Sequence, residues 1–244
     1  MTIDVIESDC LEYLNSTDRQ FSMIYIDPPF MSQQKRTTNF TDYTYDDTFP
    51  SLSTFLEWMI QVLRGCHRVL FPQGTIFVHV DYRTVAHLKV TMDSVFGGLI
   101  NWVIWNYNSG GASKKSFAKK HDDILWYRKG QEYTFNVVRE PYPRDYGDRE
   151  GFHPEGRVMQ DVWQIPILST TSNRRTGYPS QKPDDLLERI VSVSTKENEW
   201  VLDPMAGSGT TGEVSQKLGR NVVLVDKNPQ AIEVMHRRLG QWIT

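Results

Sequence analysis

Two short stretches of this 244-residue chain set carboxylates beside residues that stiffen the backbone. The first is Asp27-Pro28-Pro29-Phe30. Each proline fixes its own φ and restricts the residue before it, so the Asp27 carboxylate and the Pro28 carbonyl become two outward acceptors with little freedom. An exocyclic amine on a planar base has two N–H donors that match them. Holding both hydrogens keeps the nitrogen lone pair in place for attack on a methyl carbon. Phe30 adds a flat surface, and base–aromatic stacking is worth about 1–3 kcal/mol. That is comparable to the few kcal/mol needed to draw a base out of a duplex.

The second stretch is VLDPMAGSGTTG, residues 201–212, in which Gly207, Gly209 and Gly212 form a GxGxxG, with Asp226 17 residues beyond Gly209. Such a loop suits a dinucleotide, whose pyrophosphate the backbone approaches and whose ribose an acid binds. It equally suits a structural glycine turn, and it lacks the Lys-Ser/Thr of a phosphate-binding P-loop. Asp203, at the end of the strand before the loop, repels a dianion and suits a cation. A ligand with a ribose, an α-amino group and a sulfonium fits better, and S-adenosylmethionine has all three. Asp226 would then accept from its ribose hydroxyls.

The elements that must position these residues alternate at both ends of the chain. Strand patterns fall at 22–26, 74–80, 100–107, 122–128, 199–203 and 221–226. Helical spacing marks 52–66 (with Ser51 as cap), 84–96, 182–194 (with Pro183 in the first turn), 210–219 and 228–240. This predicts an α/β fold with a mostly parallel sheet covered by helices on both faces. Residues 130–178 break the rhythm. They are rich in Pro, Gly, Arg and aromatic residues without a period, which reads as an inserted recognition region rather than plain disorder.

Hydrophobic content of 39% and charged content of 23% suit a soluble globular chain. Two cysteines exclude a disulfide framework and a multi-cysteine zinc cluster, no metal site is expected, and no apolar run is long enough for a membrane span. These features point to a cytoplasmic protein. The net charge of −3 announces no nucleic-acid partner, but residues 101–180 hold 12 Lys and Arg against 9 Asp and Glu. A basic, aromatic-rich middle suits phosphate contacts as well as a solvated face. Arg174 and Arg175 are phosphate candidates. Phe40, Tyr43 and Tyr45 would serve a loop that closes over a base. Trp102, Trp105 and Trp126 read as core, His79 and His87 as structural, and His121 stands between a structural role and a place beside the base.

DPPF (27–30) together with LDPMAGSGTT (202–211) resembles the amino-methyltransferases of DNA, which methylate adenine N6 or cytosine N4. The tetrad precedes the cofactor loop, with the irregular basic region between them, and that order is similar to the family's β class. ESDCLEYL (7–14), HDDILWYRK (121–129) and SQKP (180–183) are similar to further family segments. The resemblance implies a Rossmann-like S-adenosylmethionine-dependent methyltransferase fold with permuted motif order. Residues 1–129 would form the catalytic half, 130–178 the target-recognition region and 179–244 the cofactor half. It implies Asp27, Pro28, Pro29 and Phe30 as the catalytic tetrad, with Asp27 also bordering the cofactor. Asp203, Pro204, Ala206, Gly207, Ser208, Gly209, Thr210 and Thr211 map onto the cofactor loop and Asp226 onto the ribose acid. Asp9 and Cys10 map onto the adenine end and Lys182 onto the methionine portion. Phe30 stands where Tyr is more usual, and Asp226 where Glu is. Asp rather than Ser at the head of the tetrad favours adenine. Duplex DNA is the implied partner and the nucleoid the implied setting. A homodimer and a cognate restriction enzyme remain open.

Overall fold

A computed structural model describes residues 1–244 except 39–40, 108–110, 145–150, 170, 180 and 244. The elements in chain order are β1 (Ile3–Glu7), α1 (Cys10–Ser16), β2 (Phe21–Ile26), β3 (Lys35–Thr38), β4 (Thr41–Asp46), α2 (Leu52–Val69), β5 (Leu70–Val80), α3 (Val85–Phe96), β6 (Leu99–Asn106) and β7 (His121–Arg128). They continue with β8 (Arg139–Glu140), β9 (Arg157–Val158), β10 (Val162–Gln164), α4 (Asp184–Ser194), β11 (Trp200–Asp203), α5 (Thr210–Lys217), β12 (Asn221–Asp226) and α6 (Pro229–Leu239).

Eight strands form one sheet in the order β1-β12-β11-β2-β5-β7-β6-β10. β7 pairs antiparallel with both β5 and β6, while the other pairings are parallel. Side chains alternate across a strand, and the two faces bury two separate clusters. Met23 and Tyr25 of β2, Phe77 of β5 and Val222 and Leu224 of β12 pack with α4, α5 and α6. Ile24, Ile26, Ile76, Val78, Val223 and Val225 pack with α1, α2 and α3. Strands buried on both faces explain the near-continuous apolar runs.

Ser51 caps α2, its hydroxyl accepting from Thr54 N at 3.1 Å. Pro183 is the N-cap of α4 rather than a first-turn residue; its fixed φ serves either place. Trp102 departs from the expected core role: it is 37% exposed, its indole donating to Asp123 Oδ1 at 2.7 Å. Trp105 and Trp126 are buried.

Seven elements carried no strand or helix reading in the sequence. β1 extends the sheet beyond β12, and α1 follows it, capped by Asp9, whose Oδ1 accepts from Leu11 N. β3 and β4 form an antiparallel hairpin after the tetrad. Within 130–178, β8 pairs with β9, and β10 joins the main sheet beside β6. Trp105 Nε1 donates to Ile165 O at 2.8 Å, so this part of the region is tied to the core.

Gly212 explains how α5 lies so close to the sheet. A Cβ there would stand 2.5 Å from Leu224 Cδ1 and 2.8 Å from Leu239 Cδ1. Gly212→Ala is therefore expected to destabilise the fold by about 1–3 kcal/mol through overpacking, read as a lower denaturation midpoint at unchanged slope.

Candidate active site

The carboxyl ends of the parallel strands deliver acids to one edge of the sheet, where open α/β folds bind ligands. Asp203 ends β11, Asp226 ends β12, Asp27 follows β2 and Asp9 follows β1. Because β7 is reversed, its first residues His121 and Asp122 reach the same edge. A cavity of about 1190 Å³ opens there, lined by the tetrad at one end and by Asp9, Cys10 and Asp226 at the other.

At the tetrad end, Lys182 Nζ pairs with Asp27 Oδ2 and lies 5.5 Å from the Phe30 ring centroid. Asp27 Oδ1 is buried with no hydrogen-bond partner. A buried acceptor without a donor is costly, so this oxygen is an open position for an N–H group. Lys182 thus stands against Asp27, a contact that the sequence resemblance did not give.

Beneath Phe30 lies a polar chain that sequence reasoning passed over. His79 is fully buried, with its ring 5.7 Å from Phe30 and 5.3 Å from Trp105. Tyr25 Oη is 2.8 Å from His79 Nδ1, and His79 Nε2 is 3.3 Å from Asp122 Oδ2. With the ring proton on Nε2, the Tyr25 hydroxyl donates to Nδ1 and the imidazole donates to Asp122. Tyr107 Oη donates to the other Asp122 oxygen at 3.3 Å. Burial alone would raise the Asp122 pKa, but His79, Lys182 and Tyr107 outweigh it and hold it below the usual value. Tyr25, Trp105, Tyr107 and Asp122 line the cavity. His121, one residue away, is exposed and does not.

The glycine loop forms the middle of the cavity. Pro204, Ala206, Gly207, Ser208, Thr210 and Thr211 line it together with Asp203. Gly209 does not. It sits at φ +74° as the N-cap of α5, and a Cβ there would meet Met235 Cγ at 2.8 Å, so it serves the turn and the packing of α6. Asp203 is buried and accepts from the Thr211 hydroxyl and from Met205 N at 3.1 Å. Burial nonetheless drives its pKa from 3.8 to about 7. Asp226 accepts from Gly207 N at 2.8 Å and Asn228 N at 2.9 Å, yet burial still raises its pKa. Each carboxylate oxygen keeps a second lone-pair direction for a ligand hydroxyl. Cys10 is buried beside Asp9, and burial pushes its thiol up to about 12, so it is an apolar wall rather than a nucleophile.

Arg238, which carried no sequence signal, holds the loop from behind. Its guanidinium contacts Glu213, Asp184 Oδ1 at 3.0 Å, Ser208 O at 3.2 Å and Thr210 Oγ1 at 3.0 Å. Burial would raise the Glu213 pKa, but Lys217 and Arg238 pull it below normal.

The β3–β4 hairpin reaches the cavity wall at Thr44. Thr44 N donates to Gln230 Oε1 at 2.8 Å, and Tyr43 packs 6.3 Å from Tyr178. Asp47 accepts from Met31 N and Ser32 N at 2.9 and 3.0 Å, pinning the chain that leaves the tetrad. Phe40 and the Tyr45 side chain lie outside the described residues. Arg175 lines the cavity, while Arg174 lies in a smaller cleft of about 350 Å³ with Arg237 and Lys217.

The chain is 30% identical over 227 residues to the type II methyltransferase M.HpaI of Haemophilus parainfluenzae, covering 92% of this chain and 70% of that one. It resembles the solved structure of an M1.HpyAVI–SAM complex with a TM-score of 0.70 at 20% identity, over 98% of this chain and 99% of that one. It also resembles PvuII DNA methyltransferase (cytosine-N4-specific) with a TM-score of 0.75 at 17% identity, over 98% and 86%. These two likenesses bear on the fold. A family model described as DNA methylase matches residues 21–237, from the first residue of β2 into α6. That match, which takes in both the Asp27–Phe30 turn and the glycine loop on one sheet edge, shows that the chain belongs to the N6/N4 family of DNA methylases.

Proposed function

We propose that this DNA amino-methyltransferase moves a methyl group from S-adenosylmethionine to N6 of an adenine turned out of duplex DNA. The observation that carries the reading is the Asp27 carboxylate, one oxygen held by Lys182 and the other buried without a donor at the cavity wall. An amine N–H satisfies that oxygen. As nitrogen gains positive charge during transfer, the oriented carboxylate stabilises it without reorganisation. Phe30, backed by His79, offers the base a stacking surface. S-adenosylmethionine supplies a methyl group already activated on a sulfonium, so no covalent enzyme intermediate is required. Asp226 would accept from its ribose, Asp9 and Cys10 would border its adenine, and Asp203 would face its positively charged portion. The cavity's donor and acceptor set fits such a ligand, since acids line its length between apolar walls.

Residues 130–178 form the target-recognition region in this reading, between a catalytic stretch at 1–129 and a cofactor stretch at 179–244. Adenine is favoured over cytosine by Asp, rather than Ser, at the head of the tetrad. DNA incubated with the protein and methyl-labelled cofactor, then digested to nucleosides, should yield labelled N6-methyladenine. Labelled N4-methylcytosine would overturn the choice of base, and no labelled nucleoside would overturn the reading as a whole. Sequencing the methylated positions maps the target.

Asp203 makes the cofactor step pH-dependent. A cation binds its ionised form, so affinity should rise about tenfold between roughly pH 6 and 8 as the group, at about 7, deprotonates. Asp203→Asn should bind weakly with a flat profile in calorimetric titration. Stability runs the other way. A carboxyl with a raised folded-state pKa favours the fold fully below its unfolded value of 3.8, and that contribution is lost as pH rises to about 7.

A further inference from the structure

A large apolar side chain stands in solvent on a loop whose two feet line the cavity. Phe117 is 99% exposed. Its loop leaves the carboxyl end of β6 and returns into β7, closed by Tyr107 N donating to Lys120 O at 3.1 Å. Tyr107 and Asp122, at the two feet of the loop, both line the cavity. The Ser113 hydroxyl accepts from Lys115 N and Ser116 N, each at 3.2 Å, and so shapes the turn that presents the ring. Lys114 and Lys115 precede Phe117, Lys119 and Lys120 follow it, and no acid interrupts the run. Lys119 Nζ lies 4.7 Å and Arg83 Cζ 4.9 Å from the Tyr82 ring, which extends the cationic, aromatic ridge onto the end of β5.

We propose that Phe117 is a wedge that enters the duplex and fills the stacking gap left by the extruded base, while the flanking lysines grip the phosphates on either side. The inference rests on the reading above, that the target base leaves the stack. Bases that leave a duplex forfeit stacking, and an inserted apolar ring restores part of it. A solvated surface loop gains nothing from a bare phenyl ring. The four lysines favour a polyanion over a second protein as the occupant of this ridge.

The test compares wild type with Phe117→Ala on duplexes carrying the mapped target, one fully paired and one mispaired opposite the target base. Being exposed, Phe117 is replaceable without loss of the fold. On the paired duplex the variant's kcat/KM should fall about 10- to 100-fold, and on the mispaired duplex by less than about threefold, because there the gap is cheaper to open. With 2-aminopurine at the target position, the fluorescence rise given by wild type should shrink in the variant, and Phe117→Leu should restore most of it. Equal losses on both duplexes, or no loss on either, would overturn the wedge. Failure of wild type to methylate the paired duplex would instead overturn the underlying reading.

Discussion

Asp27→Ala should lower the rate of methyl transfer by about 10²–10³-fold or more while cofactor affinity, read by calorimetry, changes little. The substitution removes a buried acceptor at the tetrad end that has no donor among the described residues. It also strands the Lys182 ammonium, which is only 12% exposed. Asp27→Asn separates geometry from charge. The amide keeps an oxygen of similar reach but gives no carboxylate against the positive charge that develops on nitrogen, so its rate should lie between those of wild type and the alanine variant. Substantial transfer by Asp27→Ala would remove Asp27 from the mechanism and leave positioning by Phe30 and the cavity walls to account for the chemistry.

Arg238→Ala should be the most destabilising single truncation at the site, costing about 3–5 kcal/mol in denaturant unfolding. The guanidinium is 9% exposed and joins α4, α5 and the glycine loop through Asp184, Glu213, Ser208 and Thr210. Its loss leaves Asp184, itself 3% exposed, to a single Lys217 that is nearly half exposed. Cofactor affinity should fall with stability, because the same side chain holds Ser208 and Thr210 at the cavity wall. Arg238→Lys should recover only part of each loss, since an ammonium cannot fork to several partners at once. A stability change under about 0.5 kcal/mol, typical of a surface position, would show that the network is ornamental.

The parts of the site that were legible in the sequence are those whose physics is local. Two prolines after an acid restrict the backbone wherever they occur, and glycines between a strand pattern and a helix pattern mark a close approach. The alternating α/β pattern was readable because strands buried on both faces leave apolar runs, as the two clusters of the core show. What escaped depends on distance along the chain. Lys182 meets Asp27 across 155 residues, and nothing adjacent to either residue announces the pair. His79 reads as one more residue of a buried strand until Tyr25, 54 positions before it, and Asp122, 43 after it, are brought to its two nitrogens. The β3–β4 hairpin was missed for another reason. Its sequence, KRTTNFTDYTYD, has three aromatic rings but no aliphatic residue, so hydrophobic alternation is too weak to mark two strands. β10, at three residues, is too short to show a period at all.

The pairing of β1 with β12 also dictates when the site can assemble. Thr2 N donates to Asn221 Oδ1 across 219 residues, and every register pair between the two strands has a similar span. Contacts of such long range must be bought with loop-closure entropy before they repay anything. The β5, β6 and β7 pairings close over far shorter loops. A chain still in synthesis, with β12 not yet emerged, can therefore hold the acid, the two prolines and the ring while β1 and β11 present open strand edges. Such edges recruit other chains. Insertion of β12 covers the open edge of β11 and the inner edge of β1 and, in the same event, delivers Asp226 to the cavity wall. The last acid of the cavity wall and the closing of the sheet's central gap thus arrive with a single strand.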